Sequence, residues 1–269
     1  GWSISDFYHK LKGSEWDPWE IHIMKHLNCK TVIVRDQITA NNLLRKGVNA
    51  KFLGNPMMDF VSTDIEKNSS YDDYRRIVLL IGSRYPEALN NLSSFLSCLN
   101  SFNHKNKILI LFPLTSNCQL MKIKNILKQY AYQAEQMEFL LGEDSVWRKN
   151  DQYIVIGIGT FKNWANLAEI GLSNAGTATE QISGLGIPSL SIPGIGPQFT
   201  KTFAKRQQRL LGGTVLACNG EEDLLEKLDR LLNDQVFRNE QSKFGVERMG
   251  KKGASERIVN HLKLKLLFQ

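Results

Sequence analysis

The chain has 269 residues, 42% of them hydrophobic and 23% charged, which is enough apolar material for a sizeable core in an ordinary globular protein. Its longest apolar runs, such as 77–81 and 108–112, are far too short to cross a bilayer, so a transmembrane helix is excluded. The net charge of +7 favours an anionic partner, whether a sugar nucleotide, an acidic lipid surface or a nucleic acid; a solvated basic surface without a partner is the commoner explanation.

The start of the sequence and its cysteines bear on cellular location. Gly1 is followed by neither a basic end nor an apolar core, so no signal peptide is predicted, and the missing methionine indicates a fragment or a processed chain. Cys29, Cys98, Cys118 and Cys218 show no paired spacing and are typical of reduced thiols. A cytoplasmic location is therefore expected.

The first part of the chain predicts a small α/β segment. Residues 1–28 are rich in aromatics, which favours a helix packed onto a domain over a loop that faces a lipid or an acceptor. A strand is predicted at 31–35, a helix at 37–46 and a second strand at 50–53. Gly54-Asn55-Pro56 breaks this pattern, and the domain boundary is placed there.

After the boundary the chain alternates strand and helix, which predicts an α/β domain: a Rossmann-like parallel sheet with helices on both faces. Beyond residue 220 the pattern is entirely helical. The predicted strands are 76–81, 107–112, 138–141, 152–156, 170–173, 189–192 and 214–217; the predicted helices are 85–102, 119–134, 162–169, 177–184, 199–211, 221–232, 235–249 and 255–267.

Residues 170–193 contain the first candidate site. A short strand ends in Asn174-Ala175-Gly176, Thr177 opens a helix with Glu180 in its first turn, and Gly184 and Gly186 end that helix. Such a turn leaves unpaired backbone N–H groups at a helix N-terminus, which favour a phosphate. For a glycine turn alone, an ordinary α/β connection that binds nothing is the better interpretation. The candidate ligand-binding residues are Gly176, Thr177, Thr179, Glu180 and Gln181.

Residues 82–87 contain the second candidate site, at the carboxyl end of the first long strand, where ligands of open parallel sheets gather. Gly82 allows close backbone approach, Ser83 offers a hydroxyl and Arg84 can fork onto phosphate oxygens, with Glu87 nearby. A capping loop with a surface arginine is an equally good interpretation of this loop alone.

Two further loops are glycine-rich. Residues 156–161 leave a strand and enter a helix, and residues 193–200 open a basic helix; a rigid proline turn with a solvated helix face is the alternative for the latter. Several other patterns fail: the Gly-x-Gly pairs lack their third glycine, and no Asp-x-Asp pair or metal-ligand cluster is present. No nucleic-acid motif appears, so neither a metal nor a nucleic acid is expected.

Three segments resemble lipid-A-disaccharide synthase and a cyanobacterial group of its relatives. Ala-Gly-Thr-Ala-Thr-Glu at 175–180 resembles the Ser-Gly-Thr-Ala-Thr turn of that enzyme. Gly-Ser-Arg-x-x-Glu at 82–87 is similar to its Pro-Gly-Ser-Arg-x-x-Glu segment, with Ile81 in place of the proline. Gly-Asn-Pro-Met-Met-Asp at 54–59 resembles its crossover segment. Two matching loops at the right separation are far more specific than either alone.

The resemblance implies a two-domain glycosyltransferase of the GT-B class. It divides the chain into a tail of the N-terminal acceptor domain (1–56), a nucleotide-sugar-binding Rossmann-like domain (57–254) and a C-terminal helix (255–269) that returns to the first domain. That helix is expected to pack near 31–53; because its apolar stripe has basic flanks, a membrane-surface helix is the alternative.

The resemblance also implies roles for the candidate residues. Arg84 would neutralise a diphosphate, Ser83, Gly176 and Thr177 would bind it, and Glu180 would hold the ribose. Gln181 occupies the place where lipid-A-disaccharide synthase has its acid. By position, the base would meet Gly159, Thr160 and Phe161. The loop at 193–200 is similar to that of the cyanobacterial relatives, and there the donor sugar would meet Gln198 and Phe199.

The implied function is donor binding by a glycosyltransferase that transfers sugar from a UDP-sugar, such as UDP-N-acetylglucosamine, to a lipid-linked or other acceptor, related to lipid A disaccharide synthesis. The catalytic base is expected upstream of Gly1, in a missing N-terminal domain. No cofactor is expected, and the protein could lie at the inner face of a membrane. The alternatives are a UDP-N-acetylglucosamine 2-epimerase-like enzyme and a non-catalytic sugar-nucleotide-binding module.

Overall fold

The structure is a computed structural model that describes residues 16–61, 71–102, 104–140, 142–194 and 199–266. The described residues form two compact units, one within 1–59 and 250–269 and the other within 60–249. The helices are α1 Pro18–Met24, α2 Gln37–Arg45, α3 Glu87–Ser101, α4 Leu120–Gln129, α5 Phe161–Trp164, α6 Thr177–Gly184, α7 Lys201–Leu211, α8 Glu221–Asn233, α9 Gln235–Met249 and α10 Ala254–Leu266. The strands are β1 Val32–Val34, β2 Ala50–Phe52, β3 Arg75–Leu80, β4 Ile108–Leu114, β5 Gln133–Glu135, β6 Glu143–Lys149, β7 Gln152–Ile158, β8 Ile170–Ser173, β9 Ser189–Ser191 and β10 Val215–Ala217.

In the first unit, β1 and β2 pair in parallel and α2 connects them. The carboxylate of Asp36 caps α2 by accepting the Thr39 N–H at 2.8 Å. Leu43 on α2 is fully buried and packs with Val34 and Ala50 from the two strands. This small core forms where the predicted strand–helix–strand pattern lies.

Asp59 caps α10 from a distant part of the same unit. Its carboxylate accepts the backbone N–H groups of Gly253, Ala254 and Ser255 at 2.6, 3.0 and 2.8 Å. Burial alone would raise the pKa of Asp59, but the hydrogen bonds from Ser255, Gly253 and Ala254 outweigh it and lower the pKa to about 2. The ionised carboxylate therefore stabilises the start of α10.

Two hydrogen bonds hold α10 against earlier residues of the first unit. Arg257 Nε donates to the Leu53 carbonyl at 2.9 Å, and His261 Nε2 lies 3.2 Å from Thr31 Oγ1. Both contacts fall in the segment, 31–53, against which the sequence predicts this helix to pack.

The second unit is built on a sheet that, among the described residues, has eight strands in the order β10-β9-β8-β3-β4-β7-β6-β5. Neighbouring strands from β10 to β7 run parallel, whereas β6 and β5 are antiparallel additions at one edge. The Rossmann-like α/β class is therefore confirmed, with a mixed edge that the sequence does not predict.

Alternate residues of the central strand enter two different cores. Ile77 and Leu79 on β3 pack on one face with α3, α4 and α8, while Val78 and Leu80 pack on the other with α5 and α6. A strand that is buried on both faces has a continuously apolar sequence, as 77–81 does. The predicted helices on both faces are confirmed.

Some predicted elements differ in the structure. The strand predicted at 138–141 does not form over its described residues, because the N–H groups of Phe139 and Leu140 donate to the Glu143 carboxylate at 3.0 and 2.9 Å instead of to a strand. The helix predicted at 119–134 stops at Gln129, and β5 begins four residues later. The helix predicted at 162–169 is the single turn α5, continued by a 3₁₀ turn. In the part of the chain that the structure describes, no helix has the length and apolar character that crossing a bilayer requires.

Candidate functional site

The order of the strands creates a crevice at the carboxyl ends of β3 and β8. From β3 the chain continues through α3 to β4 on one side, and from β8 it continues through α6 to β9 on the other. α3 contributes to one core and α6 to the opposite core. The connections therefore diverge between β3 and β8, which is the switch point at which open α/β sheets bind ligands.

The turn after β3 brings a cation to this crevice. Gly82 has φ +86°, a conformation that side chains rarely adopt, and a Cβ there would lie 3.2 Å from the Asn174 carbonyl. Ser83 and Arg84 follow immediately, and both are exposed. The glycine thus lets the chain turn close to β8 and leaves a hydroxyl and a guanidinium accessible to a ligand.

The turn after β8 brings a helix N-terminus to the same place. α6 starts at Thr177, and its first backbone hydrogen bond joins Glu180 N–H to the Gly176 carbonyl at 3.3 Å. The N–H groups of Thr177 and Ala178 precede this bond and have no partner within the helix. No atom lies within 4 Å of the place where a Gly176 Cβ would stand, so the backbone is open on that side.

Both turns line one cavity of about 590 Å³. On the β4 and β7 side of β3 its wall includes Pro113, Leu114 and Phe161, which are apolar, with Gly159 beside them. The predicted ligand-binding residues that line the cavity are Gly82, Ser83, Arg84, Glu87, Gly159, Phe161, Gly176, Thr177, Gln181 and Phe199.

Four predicted site residues are not among those that line the cavity. Thr179 is fully buried and its hydroxyl donates to the Ala175 carbonyl at 2.6 Å, so it supports the turn instead of facing a ligand. Thr160 is 7% exposed, and its hydroxyl is buried without a hydrogen-bond partner among the described residues. Glu180 lies half-buried on α6. Gln198 lies outside the described residues.

The end of the loop that the sequence predicts beside the donor sugar is hydrogen-bonded to the first residue of α3. Phe199 is 4% exposed, and its N–H donates to Glu87 Oε1 at 2.8 Å. Its ring packs edge-on against Phe203, whose side chain is 38% exposed at the cavity. Glu87 therefore organises the cavity wall as well as lining it.

Several residues that line the cavity have no site role in the sequence analysis. Asn91 on α3 and Asn174 after β8 are 2% and 4% exposed and are hydrogen-bonded to each other at 3.0 Å. Gln207 on α7 does not line the cavity; it is 4% exposed and supports the second turn by donating to the Ala175 carbonyl at 3.0 Å. Tyr85 also lines the cavity, and burial raises the pKa of its hydroxyl. In the sequence, Asn174 stands in the turn before Gly176 and Tyr85 directly follows Arg84, whereas no local signal marks Asn91.

The cavity combines the Arg84 guanidinium, the start of α6 and an apolar wall. Over the described ranges, no three His, Cys, Asp or Glu side chains cluster to hold a metal ion. Burial raises the pKa of the Cys98 and Cys218 thiols to about 11 and about 12, which leaves both uncharged near neutral pH.

No protein-family model matches this sequence, and no curated protein is similar to it. Solved structures are similar in fold. The S. aureus MnaA–UDP co-structure is 17% identical with a TM-score of 0.60, over 88% of this chain and 61% of that one. A putative UDP-N-acetylglucosamine 2-epimerase from Listeria monocytogenes is 14% identical with a TM-score of 0.61, over 88% and 60%.

UDP-GlcNAc 2-epimerase from Neisseria meningitidis bound to UDP-GlcNAc is 15% identical with a TM-score of 0.52, over 86% of this chain and 60% of that one. This chain thus spans about three fifths of the length of each of these solved chains. At these identities the comparisons establish a shared fold.

Proposed function

We propose that the cavity binds a UDP-sugar, with the diphosphate between the turn at 82–84 and the start of α6. One observation carries this proposal. The turns at 82–84 and 175–177 are more than 90 residues apart in sequence, yet they follow adjacent parallel strands and line one cavity. Adjacent strands are about 4.8 Å apart, so the two phosphates of one diphosphate can reach both turns.

The electrostatics of the two turns suit a diphosphate. The start of α6 carries roughly half a positive elementary charge, and its free N–H groups can donate to phosphate oxygens. Arg84 adds a full charge and a planar fork of donors. Together they offset the charge of the ligand without a metal ion, so we propose that neither a metal nor another cofactor takes part.

The apolar wall provides a place for the base. Pro113 and Leu114 lie on β4, and Phe161 is the first residue of α5; all three line the same cavity as the two turns. A cavity of about 590 Å³ is within the size of about 300 to 1,000 Å³ that is usual for small-molecule sites. The sugar would then lie towards Phe199 and Phe203, on the opposite side of the crevice.

For the reaction we propose glycosyl transfer related to lipid A disaccharide synthesis, supported by the motifs at 82–87 and 175–180. As the bond between the sugar C1 and the phosphate oxygen breaks, negative charge grows on the departing UDP. Arg84 and the start of α6 are placed to stabilise that charge. An acceptor hydroxyl oxygen forms the new bond to C1 and loses its proton to a catalytic base, which we propose lies outside the donor site that this chain provides.

Epimerisation of UDP-N-acetylglucosamine at C2 is the second candidate. It is supported by the printed names of solved structures that share the fold, among them the epimerase bound to UDP-GlcNAc. NMR analysis of UDP-N-acetylglucosamine incubated with the protein separates the two, because epimerisation yields the 2-epimer and needs no acceptor, whereas transfer consumes an acceptor.

Calorimetric titration tests the binding proposal directly. UDP and UDP-N-acetylglucosamine should bind, UMP should bind more weakly, and uridine should bind most weakly, because each removed phosphate loses contacts with one turn. ADP serves as the control for the base. Equal affinities for UDP and uridine, or no binding of UDP, would refute the proposed diphosphate site.

A further inference from the structure

Beneath the cavity, a chain of buried amides joins the ends of three neighbouring strands. The Ile192 N–H donates to Asn174 Oδ1 at 3.2 Å, Asn174 Nδ2 donates to Asn91 Oδ1 at 3.0 Å, and Asn91 Nδ2 donates to the Ile81 carbonyl at 3.0 Å. Ile81 follows β3, Asn174 follows β8 and Ile192 follows β9, and these strands are adjacent in the sheet.

The amide network is bonded to residues that directly precede the two turns that line the cavity. Ile81 precedes Gly82, and Asn174 precedes Ala175, so the two phosphate-type turns begin at the network's attachment points. Asn174 is fixed a second time, by its N–H to the Leu80 carbonyl at 2.8 Å. The separation of the two turns is therefore set by side chains as well as by the strands.

The network has no spare room. Asn91 and Asn174 are 2% and 4% exposed, and buried amides whose partners are removed cannot turn to water instead. A Cβ on Gly194 would lie only 2.6 Å from Asn91 Oδ1. The backbone at Gly194, which follows β9, therefore lies too close to the Asn91 side chain for any residue larger than glycine.

We infer that Asn91 and Asn174 are positioning residues that hold the two phosphate-binding turns at the separation that a diphosphate requires. This inference rests on the proposed function. Asn91 acts through Ile81 and Asn174. Its effect on the ligand is confined to the phosphates, because the apolar wall from β4 and the start of α5 lies outside the network.

The test compares UDP and uridine affinities in Asn91→Ala and Asn174→Ala by calorimetry, with hydrogen exchange of the turns at 82–84 and 175–177. UDP affinity should fall about tenfold or more, as for the loss of one charge-assisted hydrogen bond, and uridine affinity should stay within about twofold. Exchange in both turns should quicken in either variant, since one network fixes both.

Gly194→Ala provides an independent perturbation, because it displaces the Asn91 side chain without deleting a polar group; it should reproduce the selective loss of UDP affinity. Gly220→Ala is its control, since no atom lies within 4 Å of that added Cβ. Asn91→Ser and Gly194→Ala decide the question if Asn91→Ala does not fold.

Gln152→Ala is the matched amide control. Gln152 donates to the Leu99 carbonyl at 2.9 Å and accepts from the Tyr132 hydroxyl at 2.7 Å, but it begins β7, at the end of the sheet away from the cavity. It should lower stability and leave the ratio of UDP to uridine affinity unchanged.

Two outcomes overturn the inference in distinguishable ways. If the wild-type chain does not bind UDP, the proposed function fails and this inference fails with it. If the wild-type chain binds UDP but the folded Asn91, Asn174 and Gly194 variants keep its ratio of UDP to uridine affinity, only the inference fails, and the network has a purely stabilising role.

Discussion

Replacing Arg84 with alanine tests the proposed phosphate contact most directly. The guanidinium lies on the turn after β3 and lines the cavity, and removing it deletes a charge-assisted hydrogen bond to a ligand phosphate. Such bonds contribute about 1.5 to 3 kcal/mol. Because Arg84 is exposed and its bond would be partly solvated, we expect the lower end, about 1.5 kcal/mol, or roughly a tenfold loss of UDP affinity.

Two variants separate geometry from charge. Arg84→Lys keeps the charge but loses the planar fork, so it should restore only part of the affinity. Arg148→Ala removes the same charge from β6, where Arg148 pairs with Tyr153 near the start of β7. It should leave the UDP affinity unchanged.

Calorimetry with UDP at two salt concentrations is the appropriate assay. The difference between wild type and Arg84→Ala should shrink at high salt, since exposed charges are screened. Unchanged UDP affinity in a folded Arg84→Ala variant would remove Arg84 from the site and refute the reasoning from the turn's geometry.

Three further predictions concern metals, pH and packing. UDP affinity should be the same with EDTA as with magnesium, and a metal requirement seen by calorimetry would contradict the proposed site. Asp59 has a pKa of about 2 against an ordinary 3.8, so its stabilisation is complete above about pH 4 and is lost as the pH falls towards 2. Asp59→Asn should therefore lower the unfolding free energy of α10 by about 1 kcal/mol at neutral pH and by almost nothing at pH 2. Hydrogen exchange of α10 measures this, with the exposed Glu247→Gln as control; a pH-independent difference would count against it. Gly245→Ala should destabilise the second unit by about 1 to 3 kcal/mol in urea unfolding, because its Cβ would collide with the Ser183 carbonyl; an unchanged midpoint would contradict that close packing.

The sequence alone predicts the elements whose signals are local. The apolar run at 77–81 predicts a strand buried on both faces, and β3 is one. Thr177 after a glycine, with Gly184 and Gly186 later, predicts the limits of α6. These predictions succeed because capping, glycine turns and periodicity depend on residues within a few positions of each other.

The sequence alone does not predict the edge of the sheet. Phe139 and Leu140 are apolar and favour a strand, yet their N–H groups bind the Glu143 side chain, and the chain forms its hairpin from β5 and β6. Pairing partners for a short edge strand depend on distant geometry, which a local pattern does not contain.

The candidate site divides in the same way. Gly82, Arg84 and Gly176 are visible in the sequence because turns need glycine and phosphates attract arginine and helix N-termini. Thr179 matches the same motif, but the structure buries it in the support of its own turn. The packing of α6 on the sheet determines which of its side chains are buried, and Thr179 lies on the buried side.

The role of Asn91 can be identified only from the tertiary structure. It lies 83 residues from its partner Asn174, on a helix whose sequence shows only apolar periodicity. The two amides meet because β3 and β8 are neighbours although four strands separate their order in the sequence. The sequence therefore determined which turns are candidates for a phosphate site. The order of the strands decided that both turns lie side by side, because hydrogen bonds between strands join residues that are distant in the sequence.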